Sequence, residues 1–582
     1  MLHDNDLLLS EAAIDGGLPD PASTNPLLGL TAPQAASGGP GPAASYDPLT
    51  AGQQITRDND RWAGPFGTAA AVSYGFRASA PAYSVPGENI ANAYLFFPAQ
   101  IAAATDAFAE WSDVANINFV RSGSGVTGSQ AYSDNATILL GNYYDPTDGA
   151  DGFSILPPGD ASPTGATGDV WINLADPAND DPAINDYSYM GLMHEIGHSI
   201  GLEHPGAYNA DPNVVLTYQN NAAYREDDLQ YSTMSYFAAA NTGADHVYQG
   251  RVIYASTPLL DDITAAQRLY GVNTATRLGD TVYGFNSNAD RAAYRLASAD
   301  DQRVFCIWDA GGFNTIDESG YSTNQVIDLN PGAFSSTGAL TDNLSIALGT
   351  TIQGAVGGAG DDVFHANAAS DVIDGRAGFN LLVLPGASSA YRVDVTGFGS
   401  ATVTNLQSGA VDTLANVEDV RFSDTTIEIA PQTIGQPVFL FYNVDSGEHF
   451  FTASMAERNA LVQNDANYEY EGPGFEAVNP ATNDPSAVPV FRFLNPGDGD
   501  HFYTVSMAER NALIANDPGL KYEGAVFNED LTPQAGDAAV YRFLELNSGG
   551  HFYTASAAER DAIVASQPNL RFEGTAFYAP TA

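Results

Sequence analysis

The sequence predicts a multidomain α+β chain, and three observations carry that prediction. Its 582 residues exceed the about 100–200 of a typical domain. Its apolar periodicity is helical and strand-like at first, then gives way after residue 273 to a Gly/Asp-rich pattern with no helical spacing. Its last third is one unit written three times. The expected division is a leader over 1–47, a mixed α/β domain over 48–272, a Gly/Asp-rich β domain over 273–430 and a β-rich, pseudo-threefold domain over 431–582.

Composition bounds the function. Asp and Glu number 70 against 21 Lys and Arg, a net charge of −49. That excludes a basic nucleic-acid face and disfavours an anionic membrane. It suits a hard cation, calcium above all, and solubility outside the cell. With Cys306 as the single cysteine, no intrachain disulfide forms. The opening "MLHDNDLLLSEAAIDGG" is acidic and lacks the apolar run of a Sec signal. No run of about 18 apolar residues is present to span a membrane.

The elements follow in order. Residues 1–47 are rich in Pro, Gly, Ala and Ser and read as a flexible leader, either a plain tail or a removable propeptide. "ENIANAYLFFPAQIAAATDAFAEWSDVA" has apolar residues at helical spacing, and "ATILLGNYY" and "GDVWINLA" read as strands. A second helix is expected from Ser188 to about Leu202, and a third over "DDITAAQRLYG", with acidic N-cap residues and Gly271 at its end.

Three of the nine histidines fall in "MGLMHEIGHSIGLEHPG". His194 and His198 are four apart, so a helix places both on one face. Gly201 can take a positive φ, and a sharp turn there returns His204 as a third imidazole. Three imidazoles leave zinc an open position, the mark of a catalytic rather than a structural site. Zinc brings the pKa of water to about 7 and polarises a carbonyl. Glu195, between the histidines, is suited to accept the water's proton. Chance spacing around core histidines is the bland alternative, and the added Gly201 and His204 weigh against it. H-E-x-x-H-x-x-G-x-x-H with a later Met-turn is the metzincin signature. "YSTMSYF" supplies Met234 as an apolar floor and Tyr236 as a candidate further ligand.

"HEIGHSIGLEHPG", "QYSTMSYF", "DDITAAQRLYG" and "GDTVYGFNSN" resemble the serralysins, secreted bacterial zinc endopeptidases of the metzincin clan, over roughly residues 55–385. The resemblance implies zinc on His194, His198 and His204, with Glu195 as the base. It also implies that Tyr236 ligates zinc at rest and then swings to the oxyanion, a donor typically worth about 10²–10³ in rate. The implied substrates are proteins and peptides.

"GGAGDDVFH" fits the calcium-binding nonapeptide, with Gly357, Gly358, Gly360 and Asp362 in place and Phe364 at the apolar position. In frame, "ANAASDVID" keeps Asp371 and Ile373, and "GRAGFNLLV" keeps Gly375, Gly378 and Leu382 but carries Asn380 for Asp. A short calcium roll of about three turns is therefore expected. By resemblance, a further pair of calcium sites precedes it, at Arg277, Gly279 and Thr281, at Asp309, Gly311 and Gly312, and at Thr351. Asn314 and Gln353 stand where the family has Asp and Glu, so one of these sites should be weakened or lost. Such turns need millimolar calcium, which places the chain outside the cell, and the resemblance implies unfolded export through a type I exporter. The end "FEGTAFYAPTA" lacks the family's terminal acidic–hydrophobic motif.

Each C-terminal repeat reads as a strand ("VFRFL"), a return ("HFYT"), a helix with a capping box and a short closing strand. The box pairs are Ser454/Glu457, Ser506/Glu509 and Ser556/Glu559. The unit resembles an uncharacterised repeat of secreted bacterial hydrolases. His449, His501 and His551 recur once per unit. They read as strand histidines bonded at repeat junctions, or as part of a cell-surface glycan-binding face with exposed aromatics such as Tyr503 and Tyr553. One histidine per repeat is thin for a second metal site.

Overall fold

The computed structural model describes residues 2–5 and 44–580, apart from 63, 86–89, 147–149, 159–164, 210–214, 398, 430–435, 445–446, 465–466, 479–486, 498, 535 and 548. Most of the expected leader, 6–43, lies outside the described residues. The chain is mixed α/β and strand-rich, with a β-rich C-terminal region. It divides into two compact units, 1–356 with 365–371, and 357–364 with 372–582. No described helix is long and apolar enough to cross a membrane.

The first unit is built on a six-stranded sheet and four main helices. The strands are β1 (Leu2–Asn5), β2 (Ala70–Phe76), β3 (Ile117–Ser122), β4 (Ile138–Tyr143), β5 (Ala150–Ser154) and β6 (Val170–Asn173), in the order β1-β5-β6-β4-β2-β3. β3, β2, β4 and β6 run parallel, and β5 and β1 are antiparallel additions at one edge. β4 and β6 are buried along their whole length, which matches their unbroken apolar runs. The helices are α1 (Pro48–Ile55), α2 (Pro98–Val114), α3 (Tyr187–Ser199) and α4 (Leu260–Tyr270). α2 starts at Pro98, where the missing N–H is harmless, and Gln100 caps the Phe97 N–H at 2.8 Å. It buries Ile101, Ala104, Phe108 and Trp111, the apolar spacing visible in the sequence. α3 ends at Ser199, three residues short of the expected Leu202. α4 is capped by the Asp262 side chain on the Leu259 N–H, not by an acidic N-cap residue.

Between α4 and residue 356 the strands shrink to two or three residues. Val282–Gly284, Thr315–Asp317 and Gly354–Val356 stack in parallel and in register. Their brevity follows from a glycine or polar turn every few residues.

The second unit holds strands that the sequence reading did not place between 385 and 430. Tyr391–Gly397 and Ser400–Asn405 form an antiparallel pair, and Val411–Ala415 continues it. Val372–Asp374 and Leu381–Val383 pair in parallel with Val411–Ala415 and Asp419–Arg421. The strict alternation of exposure along 391–397 was legible.

The three repeats close around a shared core. Val438, Val490 and Val540 join Phe451, Tyr503, Tyr553, Phe475, Phe527 and Phe577 there. Tyr503 and Tyr553 are 1% and 0% exposed, which corrects their expected place on a surface. Tyr503 donates to the Phe451 carbonyl and Tyr553 to the Tyr503 carbonyl, at 2.9 and 2.8 Å. Phe451 has no hydroxyl to complete the ring, and His449 Nδ1 donates to the Tyr553 carbonyl instead, at 2.9 Å. The histidines therefore lie at repeat junctions.

One acid is out of place in this core. Glu529 stands where the other repeats have Ala477 and Ala579. It is fully buried and neither carboxylate oxygen has a hydrogen-bond partner. Burial, then Asp530 and Asp537, push its pKa from 4.5 to about 10. An acid raised in the folded state favours folding fully below 4.5 and loses that contribution as pH climbs toward 10. Glu529→Gln is therefore expected to raise the melting temperature of the repeat transition at pH 8 by a few degrees, roughly 1–3 kcal/mol, and to change little at pH 4. Calorimetry across pH measures this.

Candidate metal centre

α3 carries His194 and His198 on one face, and both are fully buried. The helix stops where the Leu202 and Ile200 N–H groups turn back onto the Gly197 carbonyl. Gly201 makes the turn with φ +107°, and a Cβ there would lie 2.0 Å from the Asp60 carbonyl oxygen. No other residue fits both the angle and the contact. The turn brings His204 back against the helix. Glu203 anchors the returning segment, taking the Asp58 N–H and an Arg57 ion pair, each at 2.8 Å. Arg57 also donates to the His204 carbonyl at 2.7 Å.

The three imidazoles converge through Nε2. His198 and His204 are 3.2 Å apart there, and His204 and His194 3.3 Å. Each Nδ1 lies on a backbone carbonyl: His194 on Thr233 at 2.7 Å, His198 on Leu202 at 2.7 Å, His204 on Tyr208 at 2.8 Å. Carbonyls only accept, so each Nδ1 carries the hydrogen and each Nε2 presents a lone pair. Three lone pairs cannot bond one another. Donors about 2.0–2.1 Å from a tetrahedral ion stand roughly 3.3–3.4 Å apart, and the observed spacings match. Burial, then the neighbouring imidazoles, hold His198 and His204 well below the usual histidine pKa. This trio is the one such metal-ready cluster among the described residues.

Under the helix, Met234 is fully buried. A Cβ on Gly197 would lie 2.8 Å from its sulfur, so the glycine between the first two histidines is what lets the methionine approach. Tyr236, 4% exposed, lies with its ring 4.4 Å from that of His204 and 6.2 Å from that of His194. Glu195, 2% exposed, faces a small cavity lined by Asp151, Gly152, Tyr187 and Leu192. β5 passes beside it: Ser154 donates to the Glu195 carbonyl at 2.8 Å, and a Cβ on Gly152 would meet the Glu195 side chain at 3.3 Å.

Two carboxylates that the sequence reading did not single out hold this geometry. Asp262 of α4 accepts from the Ser232 hydroxyl, the Thr233 N–H and the Thr233 hydroxyl at 2.6–2.8 Å. It thereby fixes the carbonyl that orients His194. Asp227 accepts from the Tyr208 and Ser235 hydroxyls, at 2.7 and 2.8 Å, and so fixes both the His204 partner and the chain leading to Tyr236. Burial raises its pKa to about 6. Asp262→Ala is expected to lower metal affinity about 10–100-fold with the fold retained, as read by competition with a chromogenic chelator and by circular dichroism.

The calcium positions expected from the resemblance take two forms. At the upstream set, Asn314 Nδ2 donates to the Gly311 and Thr351 carbonyls at 3.3 and 3.2 Å, and Gln353 Nε2 to the Gly312 carbonyl at 3.2 Å. The Asn314 oxygen accepts from the Thr281 N–H. Amide hydrogens thus point at carbonyls expected to face a cation. Asp309 accepts from the Tyr283 hydroxyl and the Gly311 N–H. Thr281 donates to the Gly279 carbonyl. Arg277, at φ +51°, spends its side chain on Asp113, Asp290 and the Trp308 carbonyl. In the roll segment, Asp362 and Asp371 are fully buried. Asp362 takes the Gly358 N–H at 2.7 Å, and Asp371 the Asn367 N–H at 3.0 Å. Gly378, at φ +86°, passes so close to Gly360 that a Cβ would stand 2.1 Å from its carbonyl oxygen. Asn380 bonds the Ala377 and Asn416 carbonyls, as Asn314 does upstream.

Residues 272–464 match the family described as Peptidase M10 serralysin C terminal, and 437–580 match a domain of unknown function, DUF5648. The chain is 44% identical over 322 residues to Serralysin A of Dickeya chrysanthemi, covering 55% of this chain and 64% of that protein. It is 40% identical over 333 residues to Serralysin of Proteus mirabilis, covering 56% and 66%. It is 42% identical over 304 residues to Metallopeptidase AprA of Pseudomonas marginalis, covering 52% and 61%. It thus spans just under two thirds of the length of these relatives. Over the part it shares with them, the chain is similar to serralysins.

Proposed function

We propose that this protein is a secreted zinc-dependent endopeptidase that hydrolyses peptide bonds of extracellular proteins. The convergence of three Nε2 lone pairs beside the buried Glu195 carries the reading. The donor set fits zinc: three neutral imidazoles, each oriented by a carbonyl, with a fourth direction open. Zinc, when bound there, supplies a Lewis acid that acidifies water and polarises a carbonyl. The chain's own groups do the rest. The carboxylate of Glu195 takes a proton from water and returns it to the leaving amine. The small side of β5 at Gly152 leaves that carboxylate room beside the strand. Tyr236, whose ring lies 4.4 Å from that of His204, would serve as a fourth ligand at rest and as a donor to the developing oxyanion. Met234 closes the floor against solvent.

The domain reading is a metzincin-type catalytic domain over 48–272, a calcium-binding β-roll domain over 273–430 and a repeat domain over 431–582. Calcium is expected at the roll, on Gly358, Gly360, Asp362 and Asp371. The acidic charge and the roll support calcium-dependent folding outside the cell after type I export. Casein digestion with and without a zinc chelator tests the activity, and chelator-insensitive digestion overturns it. Tyr236→Phe is expected to lower kcat by about 10²-fold with little change in KM and to keep the metal. A change in KM alone would assign the tyrosine to ground-state binding instead.

A further inference from the structure

We propose that the repeat domain carries a receptor slot for one arginine side chain of another polypeptide, at the junction of its third and first repeats. The other two junctions show what the slot is built to hold. At the first-to-second junction, Arg492 donates through Nε to Glu523 of its own repeat at 2.9 Å. It grips Glu457 of the preceding repeat with both Nη atoms, at 2.8 and 2.7 Å. Its guanidinium lies 4.9 Å from the ring centre of Phe450. At the second-to-third junction, Arg542 repeats the arrangement with Glu573 at 3.0 Å, Glu509 at 3.2 and 3.4 Å, and Phe502 at 5.2 Å. A planar fork, two carboxylates and an aromatic face make a complete guanidinium receptor.

The third junction has the receptor and lacks the arginine. Arg492 sits opposite Tyr503 in its strand pair and Arg542 opposite Tyr553; the residue opposite Phe451 is Leu440. Leucine ends at Cδ, well short of where an arginine fork would be. The surrounding groups are otherwise those of the sister junctions. Glu559 is fixed by the Thr554 hydroxyl at 2.6 Å, as Glu509 is by Thr504 at 2.5 Å. Glu471 takes the place of Glu523 and Glu573. Phe552 takes the place of Phe450 and Phe502, with the ring of His449 4.8 Å away; the sister rings are 4.7 and 4.8 Å from His501 and His551.

No described Arg or Lys pairs with Glu559 or Glu471. Of the two glutamates, His449 reaches only Glu471, at 3.1 Å, and His501 and His551 stand 3.6 and 3.5 Å from the matching glutamates even with an arginine present. The histidine therefore does not stand in for the fork. Glu471 is 42% exposed and Glu559 is exposed, so the slot opens to solvent. A metal ion is a poor fit, because His449, Glu471 and Glu559 do not close on a point as the zinc histidines do. At the sister junctions the equivalent groups hold a planar fork.

The test titrates N-acetyl-arginine methylamide into the full chain carrying Glu195→Ala, read by saturation-transfer NMR, beside Leu440→Arg and Glu559→Gln in the same background. Saturable binding is expected in the parent. Leu440→Arg should weaken it at least about tenfold and raise the melting temperature of the repeat transition, because the third bridge is then made internally. Glu559→Gln should weaken binding similarly while the fold stays intact, which keeps the test open if Leu440→Arg does not fold. The lysine analogue should bind more weakly, since an ammonium cannot fork. Equal binding to parent and Leu440→Arg overturns the proposal. So does the absence of saturation up to about 50 mM, or displacement of the probe by calcium.

Discussion

Glu195→Ala is expected to lower kcat/KM on casein by about 10²–10⁴-fold while zinc content stays that of the parent. The geometry separates the two roles. The Nε2 atoms that converge belong to His194, His198 and His204, and Glu195 is not among them. The glutamate instead faces the small cavity beside β5. Its loss removes a proton acceptor and leaves the metal's ligands and their carbonyl anchors in place. His198→Ala is expected to lose metal and activity together, because two imidazoles hold zinc far less tightly than three. Metal analysis beside initial rates checks both. Zinc loss in the Glu195 variant, or activity within tenfold of the parent, would sink the assignment of Glu195 as base.

A calcium-selective chelator is expected to unfold residues 357–383 and to cause slow inactivation by self-cleavage near 385–430. A zinc-selective chelator should inactivate at once without fragments. Asp362 and Asp371 are fully buried, and burying a carboxylate costs several kcal/mol unless a cation or hydrogen bonds offset it. A ligand that binds only the folded form stabilises it by about 2.7 kcal/mol at 100 times its Kd, and that contribution vanishes on chelation. The upstream set should respond less. Its Asn314 and Gln353 already donate to the Gly311, Gly312 and Thr351 carbonyls, so hydrogen bonds do there what a cation would otherwise do. Asn314→Asp with Gln353→Glu turns those donors into repelling acceptors. It should make stability at the upstream set calcium-dependent, destabilising without calcium and stabilising with it. Limited proteolysis and circular dichroism across a calcium titration read both effects. Identical spectra and fragments with and without calcium would remove the calcium role from the roll.

What was legible in the sequence is what local geometry settles. His194 and His198 share a face because a helix turns every 3.6 residues. Gly201 marks the turn to His204 because few other residues take φ +107°. The nonapeptide period and the threefold repeat are likewise local facts, as are the helix at Pro98–Val114 and the strands β4 and β6. What only the tertiary structure decided concerns groups far apart in the chain. Asp262 reaches His194 through Thr233, and Asp227 reaches His204 through Tyr208; nothing near the histidines marks either acid as their support. The alternation in "HFYT" tells that neighbouring side chains part to opposite faces. Which face becomes core depends on closure of three repeats, and that closure buried Tyr503 and Tyr553. The same closure buried Glu529 at the position where the other repeats have alanine, and it set Leu440 among the groups that grip an arginine at the sister junctions, because each junction is assembled from two different repeats.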